Sequence, residues 1–396
     1  MIENYSKRIS NIKTSEIRNI LNLMADPNMI SFGGGNPAAA SFPVEEIAKI
    51  SNDILTSNPL CVLEYGVTGG NITLKEEVKS FVNKNEKVVK KKDDILITSG
   101  SQQIMDFVAK VLCNEGDWVI CENPSFLGAL NAFKSNGAKL LGIPMEDDGM
   151  NLEALEKALQ LKPKPKFLYI IPNFQNPTGI TTSYVKRKKI YELAKSYGVL
   201  IVEDNPYGNL RYSGNAIPSI KSLDTDNIVI YAFSFSKIIA PGMRVAVMIG
   251  GTSLIEKCLL AKQVNDVHTN SWAQHVLSKF LKEVDMDKHL ENLKLIYHHK
   301  STLMLEAIKK NFSPKVSYTI PDGGMFIWVT LPSNVNMINF VKEAIQQKVA
   351  VVPGNVFYVE DDKLCNSFRM NFSTPSDEDI IRGCNILGKI TKKYCL

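Results

Sequence analysis

The stretch SFSKIIAPGMR, residues 234–244, decides the fold, because an amine and a guanidinium stand here in one loop between two apolar runs. The preceding run, Asn227–Phe233, and the following run, Arg244–Ile249, are short, continuous and β-rich, which predicts two buried strands. Lys237 therefore lies in a loop at the carboxyl end of a strand. Open α/β sheets bind their ligands at that edge.

The loop also carries groups that suit a phosphate. Ser234 and Ser236 offer two hydroxyls, and Arg244 offers the paired donors that fit a dianion. A lysine in the same loop can form an imine with an aldehyde on the phosphate-bearing compound. Pyridoxal 5′-phosphate has both groups, so the loop predicts this cofactor. Taken alone, the loop is also compatible with a basic surface turn.

Composition limits the class of protein. A chain of 396 residues, 44% hydrophobic and 22% charged, is long enough for two domains. The net charge of +5 is spread along the chain, which argues against nucleic acid as a partner. The seven cysteines include no C-x-x-C pair, so we expect reduced thiols and neither a disulfide framework nor a metal site. The polar N-terminus and the lack of a long apolar run predict a cytoplasmic protein that does not enter a membrane.

Strands and helices alternate between about residues 50 and 250, which predicts an α/β domain with a mostly parallel sheet. After Gly250 the pattern is helical and then mixed, which predicts a smaller α+β domain. We expect an N-terminal arm at 1–29, with an amphipathic helix around Ser15–Met24. The small domain is predicted at 30–50 and 291–396, and the large cofactor-binding domain at 51–290.

Pyridoxal chemistry needs further groups besides the lysine. A carboxylate must keep the ring nitrogen protonated, and Asp204, at the end of the predicted strand 199–203, is the candidate. Asn176 and Tyr207 can donate to the 3′ oxygen, and Phe126 can stack on the ring. Ser101 and Gln102, at a helix N-terminus, can join Ser234, Ser236 and Arg244 around the phosphate. Each residue has a simpler explanation as a cap, a core residue or a turn, but their common position at strand ends favours one site.

These motifs together resemble a known family. The runs NPTG at 176–179, DNPY at 204–207, SFSK at 234–237 and RMNF at 369–372 are similar to those of fold-type I, class I/II aminotransferases. The glycine cluster ISFGGGNP at 30–37 and GSQQ at 100–103 resemble the 2-aminoadipate/kynurenine aminotransferase branch. The resemblance covers nearly the whole chain.

The resemblance implies substrate contacts and an assembly. It implies that Arg369 binds the substrate α-carboxylate, that Gly35 and Asn176 also contact the substrate, and that Tyr65 reaches the cofactor phosphate of a partner subunit. It therefore implies a homodimer with shared active sites. Arg18 matches an arginine that meets acidic side chains, although a surface charge on an amphipathic helix explains it equally well. Gly33–Gly35 can also be a plain loop.

Two departures from the family leave the substrate open. Phe126 stands where many members carry tyrosine, and Gln175 occupies a position that varies. The expected reaction moves an amino group from an L-amino acid of the 2-aminoadipate, aromatic or branched-chain type to a 2-oxo acid such as 2-oxoglutarate. Alternatives are a C–S β-lyase or decarboxylase on the same scaffold. A non-catalytic regulator domain is disfavoured because only about 30 residues precede Ile30.

Overall fold

A computed structural model describes residues 5–10, 28–360 and 363–395 of the chain. The predicted helix at Ser15–Met24, with Arg18, lies outside the described residues. The strands are β1 (Ile30–Ser31), β2 (Asp93–Thr98), β3 (Trp118–Asn123), β4 (Lys139–Glu146), β5 (Gly149–Met150), β6 (Phe167–Ile170), β7 (Leu200–Asp204), β8 (Val229–Ser234), β9 (Ala246–Gly251), β10 (Ser317–Tyr318), β11 (Phe326–Thr330), β12 (Val349–Ala350), β13 (Val352–Pro353) and β14 (Ser367–Asn371).

Helices fill most of the intervening sequence. Within the described residues they are α1 (Lys7–Ser10), α2 (Val44–Ser57), α3 (Leu60–Leu63), α4 (Ile72–Asn83), α5 (Ser101–Leu112), α6 (Leu127–Ser135), α7 (Leu152–Leu159), α8 (Tyr184–Tyr197), α9 (Ile220–Leu223), α10 (Thr252–Gln263), α11 (Ser271–Glu283), α12 (Met286–Asn311), α13 (Met337–Gln346) and α14 (Asp377–Tyr394). Short 3-10 turns at Phe235–Lys237 and Pro241–Met243 form the loop between β8 and β9.

The large sheet has eight strands in the order β2-β9-β8-β7-β6-β3-β4-β5. Pairs among β8, β7, β6, β3 and β4 are parallel, whereas β9 runs antiparallel to both of its neighbours. The predicted α/β fold with a mostly parallel sheet is therefore confirmed. Its central strands are buried on both faces, because helices cover each side, and they consequently read as continuous apolar runs.

Alternate residues of these strands enter two separate cores. Cys121, Tyr169 and Val202 belong to the larger core on one face, and Leu168 and Ile201 belong to the second core on the other. This alternation follows from the two-residue period of a strand. The alternation decides which strand-end side chains can meet, because along one strand only every second residue points to the same face of the sheet.

A second group of strands belongs to the N-terminal and C-terminal parts of the chain. The four-stranded sheet β10-β11-β14-β13 is antiparallel, and β1 pairs in parallel with β12. The long helix α12, whose N-cap Asp285 accepts from two backbone N–H groups, connects the two regions of sequence. The strands of the large sheet all lie between residues 93 and 251. The strands of the smaller sheets lie at residues 30–31 and between residues 317 and 371. The domain boundaries at 50 and 290 stay predictions.

Candidate active site

A cavity of about 430 Å³ lies at the carboxyl ends of the parallel strands, between the large sheet and the strands of the second region. It is lined by Gly35, Asn36, Ser101, Gln102, Phe126, Ile171, Asn176, Asp204, Pro206, Tyr207, Ser234, Ser236, Lys237, Pro241, Arg244, Phe326 and Arg369. Every candidate residue from the sequence lines this cavity except Tyr65 and Arg18. Arg18 lies outside the described residues.

Lys237 ends the 3-10 turn that follows β8, so its side chain enters the cavity from the sheet edge. Its Nζ donates a hydrogen bond of 2.6 Å to the carbonyl oxygen of Gly35. Burial, together with the charges of Arg369 and Arg244, lowers the pKa of this amine to about 8. The uncharged, nucleophilic form of the lysine is therefore readily accessible near neutral pH.

Asp204 is the last residue of β7, and its carboxylate is buried. Tyr169 donates a 2.9 Å hydrogen bond to Oδ2, while Oδ1 is buried and has no hydrogen-bond partner among the described residues. Burial raises the pKa of this carboxyl to about 7, and the bond from Tyr169 opposes the rise. A buried, unpaired carboxylate oxygen is costly. A cationic group in the cavity, such as a protonated ring nitrogen, would offset this cost, so the site fits pyridoxal phosphate at this position.

Arg369 stands on β14 and enters the cavity from the second region. Its Nη1 donates to Asn176 Oδ1 at 2.8 Å, and its Nη2 donates to Gly33 O at 2.7 Å. The guanidinium lies between two rings, with its central carbon 4.3 Å from the centroid of Phe326 and 5.1 Å from that of Phe357. Burial lowers its pKa to about 10, which still leaves it charged at neutral pH. Its Nε is buried and has no hydrogen-bond partner in the part of the chain that the structure describes.

The loop between β8 and β9, residues 234–244, and the start of α5 form an anion-binding corner. Ser234 Oγ lies 2.9 Å from Ser236 Oγ, and Arg244, in a left-handed conformation with φ 52°, donates to Ser99 O at 3.4 Å. The first N–H groups of α5, including those of Ser101 and Gln102, have no intrahelical acceptor. Hydroxyls, a guanidinium and a helix N-terminus together fit a phosphate.

Gly100 makes this corner possible. It has φ 86°, which L side chains rarely adopt, and a Cβ added to it would lie 2.0 Å from Nη2 of Arg244. Only a glycine allows the guanidinium to lie over the first turn of α5. The close approach of Arg244 to Gly100 is therefore a second observation that fits a bound phosphate.

Tyr207, Asn176 and Phe126 line the remaining wall. Tyr207 packs edge-on against Phe326 with ring centroids 5.8 Å apart, and burial raises the pKa of its phenol. Phe126 precedes α6 and leans over Gly128, where an added Cβ would lie 2.5 Å from its ring. The aromatic face and the two polar groups predicted from the sequence therefore share one cavity.

One candidate site residue, Tyr65, and the variable position Gln175 lie elsewhere. Tyr65 is 87% exposed and contacts His268 edge-on at 5.8 Å between ring centroids. Gln175, the variable family position, is buried outside the cavity lining. Its side chain donates to Pro124 O at 2.8 Å and accepts from the Thr178 hydroxyl at 2.7 Å. Gln175 therefore braces the loop that carries Asn176.

Sequence reasoning missed Tyr169, Phe326 and Phe357. Each sits inside an apolar run and reads as an ordinary core residue. Tyr169 shares a face of the sheet with Asp204 because β6 and β7 pair Tyr169 with Val202, and this register is known only from the structure. Phe326 lies on β11 and Phe357 in the 3-10 turn at Gly354–Phe357, and the two rings enclose Arg369. No local sequence pattern predicts this arrangement.

Comparison with known proteins identifies related chains. The family model described as aminotransferase class I and II matches residues 27–387. Aromatic-amino-acid aminotransferase 1 of Thermococcus litoralis is 38% identical over 393 residues, covering 98% of this chain and 94% of the relative.

Solved structures agree with that match. The kynurenine aminotransferase of Pyrococcus horikoshii, crystallised with PMP, superposes with a TM-score of 0.95 at 38% identity, covering 98% of this chain and 97% of the other. The alpha-aminoadipate aminotransferase of Thermus thermophilus, complexed with N-(5′-phosphopyridoxyl)-L-leucine, has a TM-score of 0.91 at 35% identity, with 98% and 97% covered.

Proposed function

The chain belongs to the class I and II aminotransferases, and on this premise we propose the roles of its cavity residues and the class of its substrates. It is an enzyme that transfers an amino group between amino acids and 2-oxo acids and uses pyridoxal 5′-phosphate. The cofactor, when bound, supplies an aldehyde that condenses with amines and a protonated ring that accepts the electron pair released at the substrate α carbon.

Lys237 is the residue that holds the cofactor and moves the proton. The supporting observation is its amine, buried against Gly35 O in the same cavity as the unpartnered Oδ1 of Asp204. Once released from the cofactor, the Nζ of Lys237 would accept the proton from the substrate α carbon as general base and would donate it back as general acid. Its lowered pKa favours the neutral base.

Asp204 keeps the ring nitrogen protonated. An ionised carboxylate beside the nitrogen stabilises the positive charge, and burial strengthens this attraction. Asn176 and Tyr207 would donate to the ring oxygen, and Phe126 would cover one face of the ring. A crystal structure of the cofactor-bound enzyme tests these contacts, and a ring placed away from Phe126 and Asp204 would contradict them.

The corner formed by Ser101, Gln102, Ser234, Ser236 and Arg244 would hold the phosphate. Gly100→Ala should therefore weaken cofactor affinity at least about tenfold, because the new methyl group displaces Arg244 and strains a residue with positive φ. Fluorescence titration of the cofactor-free enzyme measures this. Gly242→Ala is the matched control, since a Cβ there meets nothing within 4 Å and should leave affinity unchanged. Equal affinities for the two variants would remove Arg244 from the phosphate site.

Arg369 binds the α-carboxylate of the substrate. Its two terminal nitrogens are held by Asn176 and Gly33, and the rings of Phe326 and Phe357 fix its plane, so it is preorganised for a planar anion. Arg369→Lys should raise the KM for every amino acid about 10- to 100-fold, because a lysine cannot form the paired bonds. An unchanged KM would show that the carboxylate binds elsewhere.

The donor is an amino acid of the aromatic or 2-aminoadipate type. Support comes from relatives named for aromatic amino acids, kynurenine and α-aminoadipate, and from a cavity wall formed by Phe126, Tyr207 and Phe326. Acceptance of the amino group by 2-oxoglutarate completes the cycle. Arg18 stays a proposed partner of acidic side chains, to be tested by Arg18→Ala, which would lower the rate with 2-aminoadipate but not with phenylalanine.

The first experiment is an absorbance spectrum of the purified protein before and after single amino acids. The visible band of the lysine-bound cofactor should be replaced by the pyridoxamine band upon addition of a donor. Release of ammonia, pyruvate or carbon dioxide without an oxo acid would instead favour the lyase or decarboxylase. Absence of any turnover, with sequence-specific DNA binding, would favour the regulator domain.

We also propose a homodimer with shared active sites. Two segments, 60–72 and 264–268, lie side by side, and the Gly66 N–H donates a 3.2 Å hydrogen bond from one to His268 Nε2 on the other. Their exposed large apolar side chains are Leu60, Leu63, Tyr65, Val67, Ile72, Val264 and Val267. A surface of this kind is typical of a protein interface. Tyr65, within it, would then serve the partner's phosphate. Sedimentation velocity should give the mass of two chains, and the mass of one chain would contradict the dimer.

The cytoplasm stays the proposed location. No helix in the described residues is long and apolar enough to cross a membrane. All seven cysteines are free thiols, which suits a reducing compartment. Cell fractionation tests this, and recovery in a secreted fraction would contradict it.

A further inference from the structure

Tyr169 lies behind the cavity, in the middle of the buried strand β6. Its side chain is fully buried, does not line the cavity, and packs edge-on against Phe133 with ring centroids 5.3 Å apart. The neighbouring residues of the strand, Leu168 and Ile170, are apolar. A phenylalanine would satisfy the packing of this position equally well, so the hydroxyl needs a separate explanation.

The hydroxyl bonds to the carboxylate of Asp204. Tyr169 OH donates to Oδ2 at 2.9 Å, within the range of a charge-assisted bond. A buried hydroxyl is costly unless it is hydrogen-bonded, and so is a buried carboxylate. The bond satisfies one oxygen of Asp204 and leaves Oδ1 without a partner among the described residues.

The register of the sheet holds the two groups together. β6 and β7 are parallel neighbours, Tyr169 is paired with Val202, and Asp204 follows two residues later on the same face. Neither side chain can turn away, because Tyr169 is confined by Phe133 and both are buried. The phenol therefore fixes which carboxylate oxygen remains free and where it points.

We propose that Tyr169 is a positioning residue for the aminotransferase reaction: its hydroxyl keeps Asp204 ionised and directs the free oxygen toward the cofactor ring nitrogen. This inference rests on the proposed role of Asp204. Without the hydroxyl, the carboxylate binds its proton more tightly and competes with the ring nitrogen for it. The positive charge on the ring is then reduced, and so is its capacity to accept electrons.

Two further titratable groups lie near Asp204, and neither supplies a hydrogen bond that favours its charged form. Glu122 on β3 accepts from Ile171 N–H at 3.0 Å, and burial raises its pKa to about 8. Tyr207, on the loop after β7, is neutral because burial raises its pKa as well. Among the described groups around the carboxylate, Tyr169 is the one whose hydrogen bond favours the charged form.

The test is Tyr169→Phe in the cofactor-bound enzyme. A positive ring lowers the pKa of the adjoining Lys237 nitrogen, so the pH midpoint of the visible band should rise by about 0.5 to 1 unit in the variant. The single-turnover rate constant with a donor should fall about 3- to 30-fold, while the dissociation constant of the donor changes less than about twofold. The rate constant should change more than the dissociation constant because Tyr169 does not line the cavity that binds the substrate.

Tyr191→Phe is the matched control. It also removes a buried phenol that donates to an aspartate, Asp226 at 2.7 Å, but neither residue lines the cavity. Its midpoint and rate should equal those of the wild type. In an Asp204→Asn background, Tyr169→Phe should no longer move the midpoint, because the phenol acts through the carboxylate.

Two results would overturn the inference directly: a midpoint in Tyr169→Phe equal to that of the wild type, or an equal shift in the Asp204→Asn background. A variant that did not fold would show a structural role and overturn it too. If the wild type itself showed no visible band with added cofactor, the proposed site would fail instead, and the two failures are thus distinguishable.

Discussion

Lys237→Ala is expected to lower turnover at least about 10⁴-fold. A positioned general base alone contributes about 10²- to 10⁴-fold, and this variant also loses the amine that binds the cofactor aldehyde. No second lysine lines the cavity, so no described side chain can replace it there. The measurement is single-turnover kinetics with a donor, accompanied by the absorbance spectrum, in which the band of the lysine-bound cofactor should be absent.

The control is Lys309→Ala, at an exposed position near the end of α12, which should retain full activity. A small primary amine added to Lys237→Ala should restore part of the rate, because the truncated side chain leaves room for an external base. Turnover by Lys237→Ala at more than about one hundredth of the wild-type rate would contradict the assignment of Lys237 as base.

Asp204→Asn is expected to have two opposite effects. Turnover should fall roughly 10²- to 10⁴-fold, because removing one partner of a buried ion pair costs about 3–5 kcal/mol. The cofactor-free protein, in contrast, should become more stable at pH 8. The carboxyl has a pKa raised from 3.8 to about 7, and each unit corresponds to about 1.4 kcal/mol, so the gain is at most roughly 4 kcal/mol.

The pH dependence follows from the same shift. Because the folded-state pKa of Asp204 is raised above its unfolded value, the folded protein binds the proton more tightly. The stability of the cofactor-free wild type should therefore decrease as the pH rises from about 4 through about 7. Asp204→Asn should show a smaller decrease, and the remaining slope belongs to buried Glu122 and Glu203, whose pKa values are also raised.

Urea unfolding of the cofactor-free proteins between pH 5 and pH 8 measures this stability, and titration with pyridoxal phosphate measures affinity. Asp204→Asn should bind the cofactor more weakly while unfolding at higher urea concentration. A variant that was destabilised at pH 8 would contradict the cost assigned to the buried carboxylate, and a variant that kept wild-type turnover would show that Asp204 does not face the ring nitrogen.

Much of this site was predictable from the sequence because its residues occupy strand ends. In a parallel sheet, the carboxyl ends of neighbouring strands meet at one edge. Asp204 at the end of β7, Asn176 after β6 and Lys237 after β8 therefore had to come close once the strands were recognised. The glycine at position 100 was likewise readable as the start of a helix, although its contact with Arg244 was not.

Contacts that depend on packing between distant segments could not be predicted from the sequence. Arg369 is held by Gly33 and by two phenylalanines, and its bond to Gly33 joins positions 336 residues apart in the chain. The anchoring of Lys237 to Gly35, across 202 residues, is of the same kind. No local periodicity encodes such a contact, because it depends on how the second group of strands docks against the large sheet.

The sequence by itself determined the alternation of strands and helices, the order of the polar strand ends and the residues of the 234–244 loop that predict the cofactor, while the reaction class came from the resemblance of its motifs to a known family. Only the tertiary structure decided which oxygen of Asp204 is free, how Arg369 is fixed, and that Tyr169 is more than a core residue. The physical reason is that strand order and polarity are local properties of the chain. The protonation of a buried carboxylate depends instead on the few side chains that sheet register and docking bring within hydrogen-bonding distance.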